Sequence, residues 1–369
     1  MPRAAVCTGL NKPLEVLELD LAAPKANEIE VRMAASGVCH SDLSVQNGTL
    51  YGAFPLVLGH EGAGIVAAVG PGVRDFAVDD HVVLSWVPQC GECFFCSKGQ
   101  GYLCEVGMLG MATGGLLDGT PRFSHDGHPV MQMACTGTFS ERVVVPAIGA
   151  VKIEPDIPLE VAALVGCGVL TGAGAALNTA DIVEGDSVAV VGCGGVGLNT
   201  IQGAAIAGAT TIIAVDMFPN KLELAARLGA THLVNAAEGD PVAAVLELTE
   251  GRGVDVAFEV IGLKATIDQT IAMARRGGQA VLVGVPRMEV MLETAAFFNV
   301  VLAAKTIKGC WYGSANVQRE VPRLLGYYKD GRLKLDELIS RRIGLDEVND
   351  AFRAIEAGEV ARTVIDYTR

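Results

Sequence analysis

A glycine-rich turn between a strand and a helix constrains the fold of this 369-residue chain more than any other sequence feature. The apolar strand SVAVV runs directly into the turn GCGGVG, at residues 192–197, which is followed by the helical stretch LNTIQGAAIAGA. Apolar strands and helical stretches go on alternating from about residue 169 to residue 311. This alternation predicts an α/β fold with a doubly wound parallel sheet.

The glycines of this turn have the spacing that binds a dinucleotide. Gly192 allows a tight turn, Gly194 lets the backbone approach a pyrophosphate, and Gly197 lets the helix pack closely on the strand. Gly195 and Val196 open the helix, and a helix N-terminus attracts phosphate groups. The motif is weak evidence alone, but here it lies between a strand and a helix, where the mechanism requires it.

The next predicted strand selects between the two nicotinamide dinucleotides. That strand, TIIAVD, ends in Asp216, and Lys221 follows in the next helical stretch. An acid at this position accepts hydrogen bonds from the ribose hydroxyls of NAD and repels the additional phosphate of NADP. We therefore predict an NAD site, with Lys221 over the same ribose.

The remaining segments differ from this alternating region. Residues 1–168 carry short β-rich runs separated by turn residues, and residues 312–369 contain two helical pieces and a closing strand. We assign 1–168 and 312–369 to a β-rich catalytic domain and 169–311 to a cofactor domain. Residues 113–138 are rich in glycine and polar residues, which predicts a long surface loop.

Composition limits the partners and the compartment. The net charge of −14 argues against binding to nucleic acid or to an anionic membrane. No run approaches the roughly 18 consecutive apolar residues of a membrane span, and the N-terminus has no secretory signal. We expect a cytoplasmic protein, in which ten cysteines point first to metal binding.

Four of these cysteines lie close together in the stretch CGECFFCSKGQGYLC. Four thiolates at such spacing are typical of a closed, tetrahedral structural zinc site. An iron–sulfur cluster or unligated thiols are the alternatives, and an enzyme with no need for electron transfer favours zinc. The predicted ligands are Cys90, Cys93, Cys96 and Cys104.

Five motifs occur together in one order along the chain: GVCHSD, GHEGAGIVAAVGPGV, the four-cysteine stretch, GCGV and VVGCGGVG. In this order they resemble the medium-chain zinc-dependent alcohol dehydrogenases, in the liver-like and class III-like branch with actinobacterial relatives. The resemblance covers essentially the whole chain. It implies a GroES-like, β-rich catalytic domain and a Rossmann cofactor domain.

The resemblance also implies a second, catalytic zinc. Its protein ligands would be Cys39, His60 and Cys167, and the open fourth position would take water or the alcohol oxygen. Glu61 is similar to a carboxylate that approaches the zinc during ligand exchange. Asp42 resembles the residue that hydrogen-bonds the ligand histidine and fixes its tautomer.

Further roles follow from the same resemblance. Ser41 would receive the substrate proton, and His40 and Arg362 would lie beside the pyrophosphate of NAD. Thr171 would pack against the nicotinamide, and the backbone of Val285 would contact its carboxamide. An apolar substrate channel would be lined by Ser41, Trp86, Met133, Ala134 and Val285.

These expectations define one leading function and several alternatives. We expect oxidation of primary hydrophobic alcohols (aryl, allylic or medium-chain) to aldehydes by hydride transfer to NAD, in a homodimer paired through an edge strand near 306–310. The alternatives are a mycothiol-type formaldehyde dehydrogenase or nitrosothiol reductase, and a nicotinoprotein with permanently bound NAD. A catalytically silent relative is also conceivable, but retention of Cys39, His60 and Cys167 argues against it.

Overall fold

The computed structural model describes residues 1–358 and 361–368 of the chain. The chain forms two compact units. Unit 1 comprises Met1–Gly168, Asn316–Tyr327 and Leu335–Arg369, and unit 2 comprises Val169–Ala315 and Tyr328–Lys334.

Unit 1 is rich in β-strands, as the sequence predicts. Its strands are β1 (Arg3–Cys7), β2 (Glu15–Glu18), β3 (Asp20–Leu21), β4 (Glu28–Val38), β5 (Leu56–Val57), β6 (Glu61–Val69), β7 (His81–Leu84), β8 (Phe123–His125), β9 (His128–Gln132), β10 (Arg142–Pro146), β11 (Ala150–Lys152), β18 (Ile339–Ile343) and β19 (Arg362–Asp366). A six-stranded sheet has the order β2-β1-β5-β9-β8-β3. A seven-stranded sheet has the order β11-β7-β6-β4-β19-β18, with β10 also paired to β4.

Strand β4 is the centre of the seven-stranded sheet. It pairs in the antiparallel direction with β6 and also with β10 and β19. Ile29, Val31 and Met33 alternate along β4 and are all buried in one hydrophobic core. This period of two is what places one face of a strand in the core. The strand is therefore held in register over its whole length.

The expectation of one long surface loop over residues 113–138 is wrong. Strands β8 and β9 lie within this stretch and form an antiparallel hairpin in which Phe123 faces Val130. Both side chains are buried in the core of unit 1. Glycine and polar residues dominate the composition here, but two well-placed apolar side chains suffice to bury one face of a short hairpin.

A buried ion pair anchors this hairpin. Arg122 immediately precedes β8 and donates from Nε to Oε2 of Glu28 at 2.9 Å, and its Nη2 also pairs with Oε1 of Glu28. Its backbone N–H donates to the Gln132 side chain at 2.9 Å. Breaking a buried pair by removing one partner typically costs about 3–5 kcal/mol, because the other charge remains desolvated. The pair therefore fixes the hairpin to the start of β4.

The helices are distributed over both units. One segment, Leu159–Thr179, is long and apolar enough to cross a membrane by length and composition, but 83% of its apolar window is buried inside the protein, as in a core helix. The α-helices are α1 (His40–Gln46), α2 (Phe94–Ser97), α3 (Glu105–Thr113), α4 (Leu159–Leu164), α5 (Leu170–Gly174), α6 (Gly195–Ala207), α7 (Pro219–Arg227), α8 (Pro241–Leu248), α9 (Lys264–Met273), α10 (Val317–Lys329) and α11 (Val348–Glu356).

Unit 2 contains the parallel sheet that the alternating pattern predicts. Its strands are β12 (Ser187–Val191), β13 (Thr211–Asp216), β14 (His232–Asn235), β15 (Val254–Glu259), β16 (Ala274–Leu282) and β17 (Thr306–Gly309). They form a single sheet with the order β14-β13-β12-β15-β16-β17, and every neighbouring pair is parallel.

The strand order of this sheet reverses at β12. The chain passes from β12 to β13 and β14 on one side, and then to β15, β16 and β17 on the other. Ligands of open α/β sheets bind outside the carboxyl ends of the strands at such a switch point. The glycine turn at residues 192–197 follows directly after β12 and therefore lies at this position.

Candidate active site

The pairing of β4 with β6 brings the first candidate ligands together. Gly37, near the end of β4, pairs with Glu61, the first residue of β6. Cys39 follows the end of β4 as the N-cap of α1, and His60 precedes β6. Two residues that are distant in sequence thus flank the same rung of one antiparallel pair.

Cys167 joins them from the helical segment that follows α4. It lies in a π-helical turn, Val165–Val169, and single π-turns of this kind often occur at functional sites. The ligand atoms of Cys39, His60, Glu61 and Cys167 all lie within 4.8 Å of one another, and all four residues are buried. Two thiols, an imidazole and a carboxylate therefore converge in one buried cluster.

Asp42 connects two members of this cluster. Its Oδ1 lies 2.9 Å from Nδ1 of His60 and accepts the backbone N–H of Gly59 at 3.1 Å. Its Oδ2 accepts the backbone N–H of Cys39 at 2.9 Å. Both oxygens thus face donors, so one carboxylate fixes the orientation of the His60 ring and the start of α1.

Glu61 is paired with an arginine. Its Oε1 lies 3.2 Å from Nη1 of Arg362 and accepts the backbone N–H of Gly168 at 3.1 Å, and both charged side chains are buried. Its Oε2 has no hydrogen-bond partner among the described residues. A carboxylate oxygen without a partner, next to two thiols and an imidazole, is available to a cation.

Sequence analysis missed two glycines that make this pair possible. A Cβ at Gly37 would overlap Oε2 of Glu61, and a Cβ at Gly168 would overlap Nη2 of Arg362. The available signal was a glycine beside a ligand residue inside a strand or helix, as in GVCHSD and GCGV. Glycine at such places often permits a close approach of other groups.

The electrostatics of the cluster favour one thiolate. A hydrogen bond with Cys167 lowers the pKa of Cys39 well below its usual value, and the same contact raises the pKa of Cys167. Burial opposes the charged form of His60, but Asp42 and Cys39 raise its pKa well above the usual value. Burial raises the pKa of Glu61 to about 7, against the opposing charge of Arg362.

The four cysteines of the loop also converge. The sulfurs of Cys90, Cys93, Cys96 and Cys104 lie within 4.8 Å of one another. The backbone N–H of Cys90 donates to the sulfur of Cys104 at 3.3 Å, and that of Cys93 donates to the sulfur of Cys90 at 3.4 Å. Backbone hydrogen bonds lower the pKa of Cys93 to about 6. Four sulfurs so placed can surround one metal ion.

The glycine turn of unit 2 has a backbone that demands glycine. Gly192 adopts φ +101°, which other residues rarely adopt, and a Cβ at Gly197 would overlap the carbonyl oxygen of Gly192. Gly194 has no atom within 4 Å of the place where its Cβ would lie. Gly195 and Val196 open α6. An open space over the turn fits the approach of a pyrophosphate.

Asp216 lies beside this turn at the end of β13. Its carboxylate accepts the backbone N–H of Cys193 at 2.8 Å and that of Phe218 at 3.0 Å. The ammonium group of Lys221 lies 4.6 Å from the centre of the Phe218 ring. The acid is thus held in a fixed orientation next to the glycine turn.

The other predicted residues occupy varied positions. Trp86 packs edge-on to the ring of His60, with centroids 6.2 Å apart. Met133 and Ala134 belong to a turn whose Thr136 hydroxyl contacts the carbonyl oxygen of Gly59 at 3.2 Å. In the remaining positions, Ser41 is half-buried and His40 exposed at the start of α1, while in unit 2 Thr171 is half-buried on α5 and Val285 is exposed beyond β16.

Comparison with known proteins places this site in a family. Residues 25–155 match the family described as "Alcohol dehydrogenase GroES-like domain", and residues 195–327 match the family described as "Zinc-binding dehydrogenase". The chain belongs to the medium-chain zinc-dependent alcohol dehydrogenases. The zinc-dependent alcohol dehydrogenases are NAD-linked oxidoreductases, and the four-cysteine cluster is the structural zinc site of this member.

Relatives along the full length support this placement. The chain is 40% identical over 98% of its length to the "NDMA-dependent alcohol dehydrogenase" of Amycolatopsis methanolica, of which it also covers 98%. It is 40% identical to the "S-(hydroxymethyl)glutathione dehydrogenase" of Escherichia coli, with 99% of each chain covered. The crystal structure of benzyl alcohol dehydrogenase from Acinetobacter calcoaceticus matches with a TM-score of 0.93 and 32% identity over 99% of each chain.

The donor atoms fit zinc. Thiolate and neutral imidazole are ligands that zinc prefers, and the unpartnered Oε2 of Glu61 shows that the buried cluster is not fully satisfied by protein groups. In this alcohol dehydrogenase, the residues that orient the donors belong to the same web as the donors. Their removal is therefore expected to weaken metal binding without touching a ligand.

We predict that Asp42→Asn loosens this site. Both Asp42 oxygens accept N–H groups, so the amide nitrogen of asparagine must face at least one donor. Loss of a partner that orients a metal ligand typically costs about 10–100-fold in metal affinity. Release of zinc to a chelator should be faster by that factor for one of the two ions. Asp268→Asn, at an exposed site, is the matched control; equal retention in both variants would contradict the prediction.

Proposed function

We propose that this enzyme oxidises primary hydrophobic alcohols, aryl, allylic or medium-chain, to aldehydes by hydride transfer to NAD. The observation that carries the proposal is the buried convergence of Cys39, His60 and Cys167, with Glu61 beside them. Three protein ligands of this kind leave one position for water or substrate, which is the arrangement of a catalytic zinc site. A silent relative would have no need to keep such a donor set.

Each residue of the cluster has a distinct role in this proposal. Zinc held by Cys39, His60 and Cys167 would supply Lewis acidity toward the alcohol oxygen. Ser41, in the first turn of α1, takes up the proton of the alcohol. Asp42 holds the tautomer of His60 through the contact to Nδ1, which leaves Nε2 as the donor atom.

The carboxylate of Glu61 is the reserve ligand of this site. Its Oε1 is occupied by Arg362 and the Gly168 amide, while Oε2 is not. Arg362 compensates the negative charge of the two thiols and the carboxylate inside the protein. Without such a cation, a buried carboxylate would be neutralised by protonation.

We assign cofactor binding to the residues named by the resemblance. Gly192, Gly194 and Gly197 form the turn for the pyrophosphate, and Asp216 accepts the ribose hydroxyls. The fixed orientation of the Asp216 carboxylate supports this assignment. The further cofactor residues are His40, Thr171, Gly195, Val196, Lys221, Val285 and Arg362. Functionally, we assign 1–168 and 312–369 to the catalytic domain and 169–311 to the NAD-binding domain.

The substrate class rests on the apolar character of the residues that we assign to the channel. Trp86 lies directly beside His60, and Met133 and Ala134 lie in a turn that contacts Gly59. We add Ser41 and Val285 to this lining. Pockets lined by apolar and aromatic side chains bind apolar ligands with a few polar groups for orientation. The relation to a benzyl alcohol dehydrogenase agrees with an aryl or allylic alcohol.

The experiment is a substrate panel followed by the absorbance of reduced nicotinamide. The alcohols are ethanol, octanol, benzyl alcohol and geraniol, together with formaldehyde with and without glutathione or mycothiol, all with added NAD. We expect kcat/KM for benzyl alcohol or geraniol to exceed that for ethanol by at least about tenfold, because each buried methylene adds about 0.8 kcal/mol. Activity that requires formaldehyde together with a thiol would contradict the proposal and favour the thiol-adduct alternative.

One further arm tests whether NAD is permanently bound. A relative is named for its dependence on NDMA, so each alcohol is also assayed with NDMA as electron acceptor and no added NAD. Turnover only with the acceptor would establish the nicotinoprotein alternative. Turnover with added NAD alone supports free exchange of the cofactor, and inactivity in both arms with both zinc ions present contradicts the assigned activity.

We also propose a cytoplasmic homodimer. All ten cysteines are free thiols, and two clusters of thiols require a reducing compartment. Strand β17 is at the edge of its sheet, and the segment before it exposes several large apolar side chains. Exposed edges and apolar patches of this kind are usually covered by a second subunit. The exposed side chains are Phe297, Phe298, Val301 and Leu302.

The dimer predicts a position-dependent effect of one charge. Leu302→Asp should convert the protein to a monomer, because a carboxylate in the interface would be desolvated without a partner. Leu109→Asp is the matched control, since Leu109 is exposed to 58% and Leu302 to 54%. Light scattering coupled to size exclusion measures the mass. A wild-type monomer, or a Leu302→Asp dimer, would contradict the proposal.

A further inference from the structure

A buried carboxylate lies at the end of a central strand of unit 2. Glu259 is the last residue of β15 in the apolar run VDVAFE, and its exposed fraction is 0%. It pairs in register with Val191, the last residue before the glycine turn. No lysine, arginine or histidine among the described residues forms an ion pair with it. A charge without a counter-ion in such a place needs another form of stabilisation.

The stabilisation comes from three donors on one oxygen. Oε1 of Glu259 accepts the backbone N–H groups of Ile261 at 3.0 Å and Gly262 at 2.8 Å, and lies 2.6 Å from the hydroxyl of Thr266. Oε2 has no partner in the described part of the chain. The carboxylate thus closes the loop Val260–Gly262 onto the strand from which it departs.

The backbone of the same residue holds a second segment. The carbonyl oxygen of Glu259 accepts the N–H groups of Val283 at 2.8 Å and Gly284 at 3.0 Å, where the chain leaves β16. A Cβ at Gly284 would lie 2.5 Å from Oε2 of Glu259. The exit from β16 therefore passes directly over the carboxylate, with no space to spare.

The loop that Glu259 holds touches both ends of the proposed cofactor site within unit 2. A Cβ at Gly192 would lie 2.6 Å from Cγ1 of Ile261, and a Cβ at Gly262 would lie 2.5 Å from the carbonyl oxygen of Val285. Gly262 itself has φ +91°. The loop is therefore a tightly fitted spacer between the glycine turn and the Val285 backbone.

We propose that Glu259 is a positioning residue of this dehydrogenase: its carboxylate holds the Val260–Gly262 loop so that the pyrophosphate turn and the Val285 backbone keep their spacing. The proposal rests on the assignment of NAD to this site. A shift of about 1 Å in such a support can cost about 10²-fold in rate, because hydride transfer needs aligned reactants.

Three substitutions separate the possible contributions of Glu259. Glu259→Gln keeps the length and an acceptor oxygen, Glu259→Asp keeps the charge but shortens the reach, and Glu259→Leu keeps the volume without any acceptor. If the acceptor geometry matters, the glutamine variant retains most function and the other two lose it. If only the charge matters, the aspartate variant retains most function, and the proposal is contradicted.

The first readout is independent of alcohol oxidation. Amide hydrogen exchange should be slow at Ile261 and Gly262 in the wild type, because both N–H groups bond to a buried carboxylate. In Glu259→Leu the exchange should be at least about tenfold faster. Unchanged exchange in that variant overturns the proposal.

The second readout is NADH binding, followed by its fluorescence. We expect the Kd of NADH to rise at least about tenfold in Glu259→Leu, the KM for alcohol to stay within about twofold, and the primary deuterium isotope effect on kcat to increase as hydride transfer becomes limiting. An unchanged Kd in a variant with wild-type zinc content overturns the proposal. A wild type that binds no NADH contradicts the proposed cofactor assignment instead.

A milder variant covers the case that Glu259→Leu does not fold. Thr266→Val removes one of the three donors at a half-buried position and leaves both backbone amides in place. It should weaken NADH binding in the same direction by a smaller factor. Glu293→Leu, at an exposed site, is the control and should bind NADH like the wild type. If Thr266→Val also binds NADH like the wild type, the positioning role is contradicted.

Discussion

The pairing of β4 with β6 is the constraint on which the active site depends. It sets Gly37 opposite Glu61 and thereby brings Cys39 and His60 to the same place from separate parts of the chain. The register of this pair is fixed over its length by the alternating buried residues of β4. A slip of one residue would turn the buried side chains outward. The metal ligands are thus located by the same burial that stabilises the sheet.

Buried charge shapes both units, and in each unit glycine makes the room for it. In unit 1, the Glu61–Arg362 pair fits only because two neighbouring residues lack a side chain. In unit 2, the Glu259 carboxylate is covered by Gly284 and bonded to Gly262. Buried charges are costly unless hydrogen bonds or partners compensate them. Retaining them at two sites is consistent with a functional demand for orientation.

Much of the fold and the identity of the family follow from the sequence, because the signals are local. The strand, turn and helix around residues 192–197 predicted the parallel sheet of unit 2, which the structure confirms. The hairpin within 113–138 was not foreseen, since its register depends on Arg122 reaching Glu28 from a distant part of the chain. Glu259 was overlooked for the same reason. An acid in an apolar strand was visible in the sequence, but its three donors are a property of the folded loop.

The central claim is that Cys39, His60 and Cys167 hold a catalytic zinc separate from the four-cysteine site. Elemental analysis of the wild type and of Cys167→Ser tests it most directly, with Cys310→Ser as a control at another buried thiol. The account predicts two zinc ions per chain in the wild type and the control, one for each cluster. It predicts one in Cys167→Ser, together with loss of alcohol oxidation. A Cys167→Ser protein that keeps both ions and its activity would contradict the account.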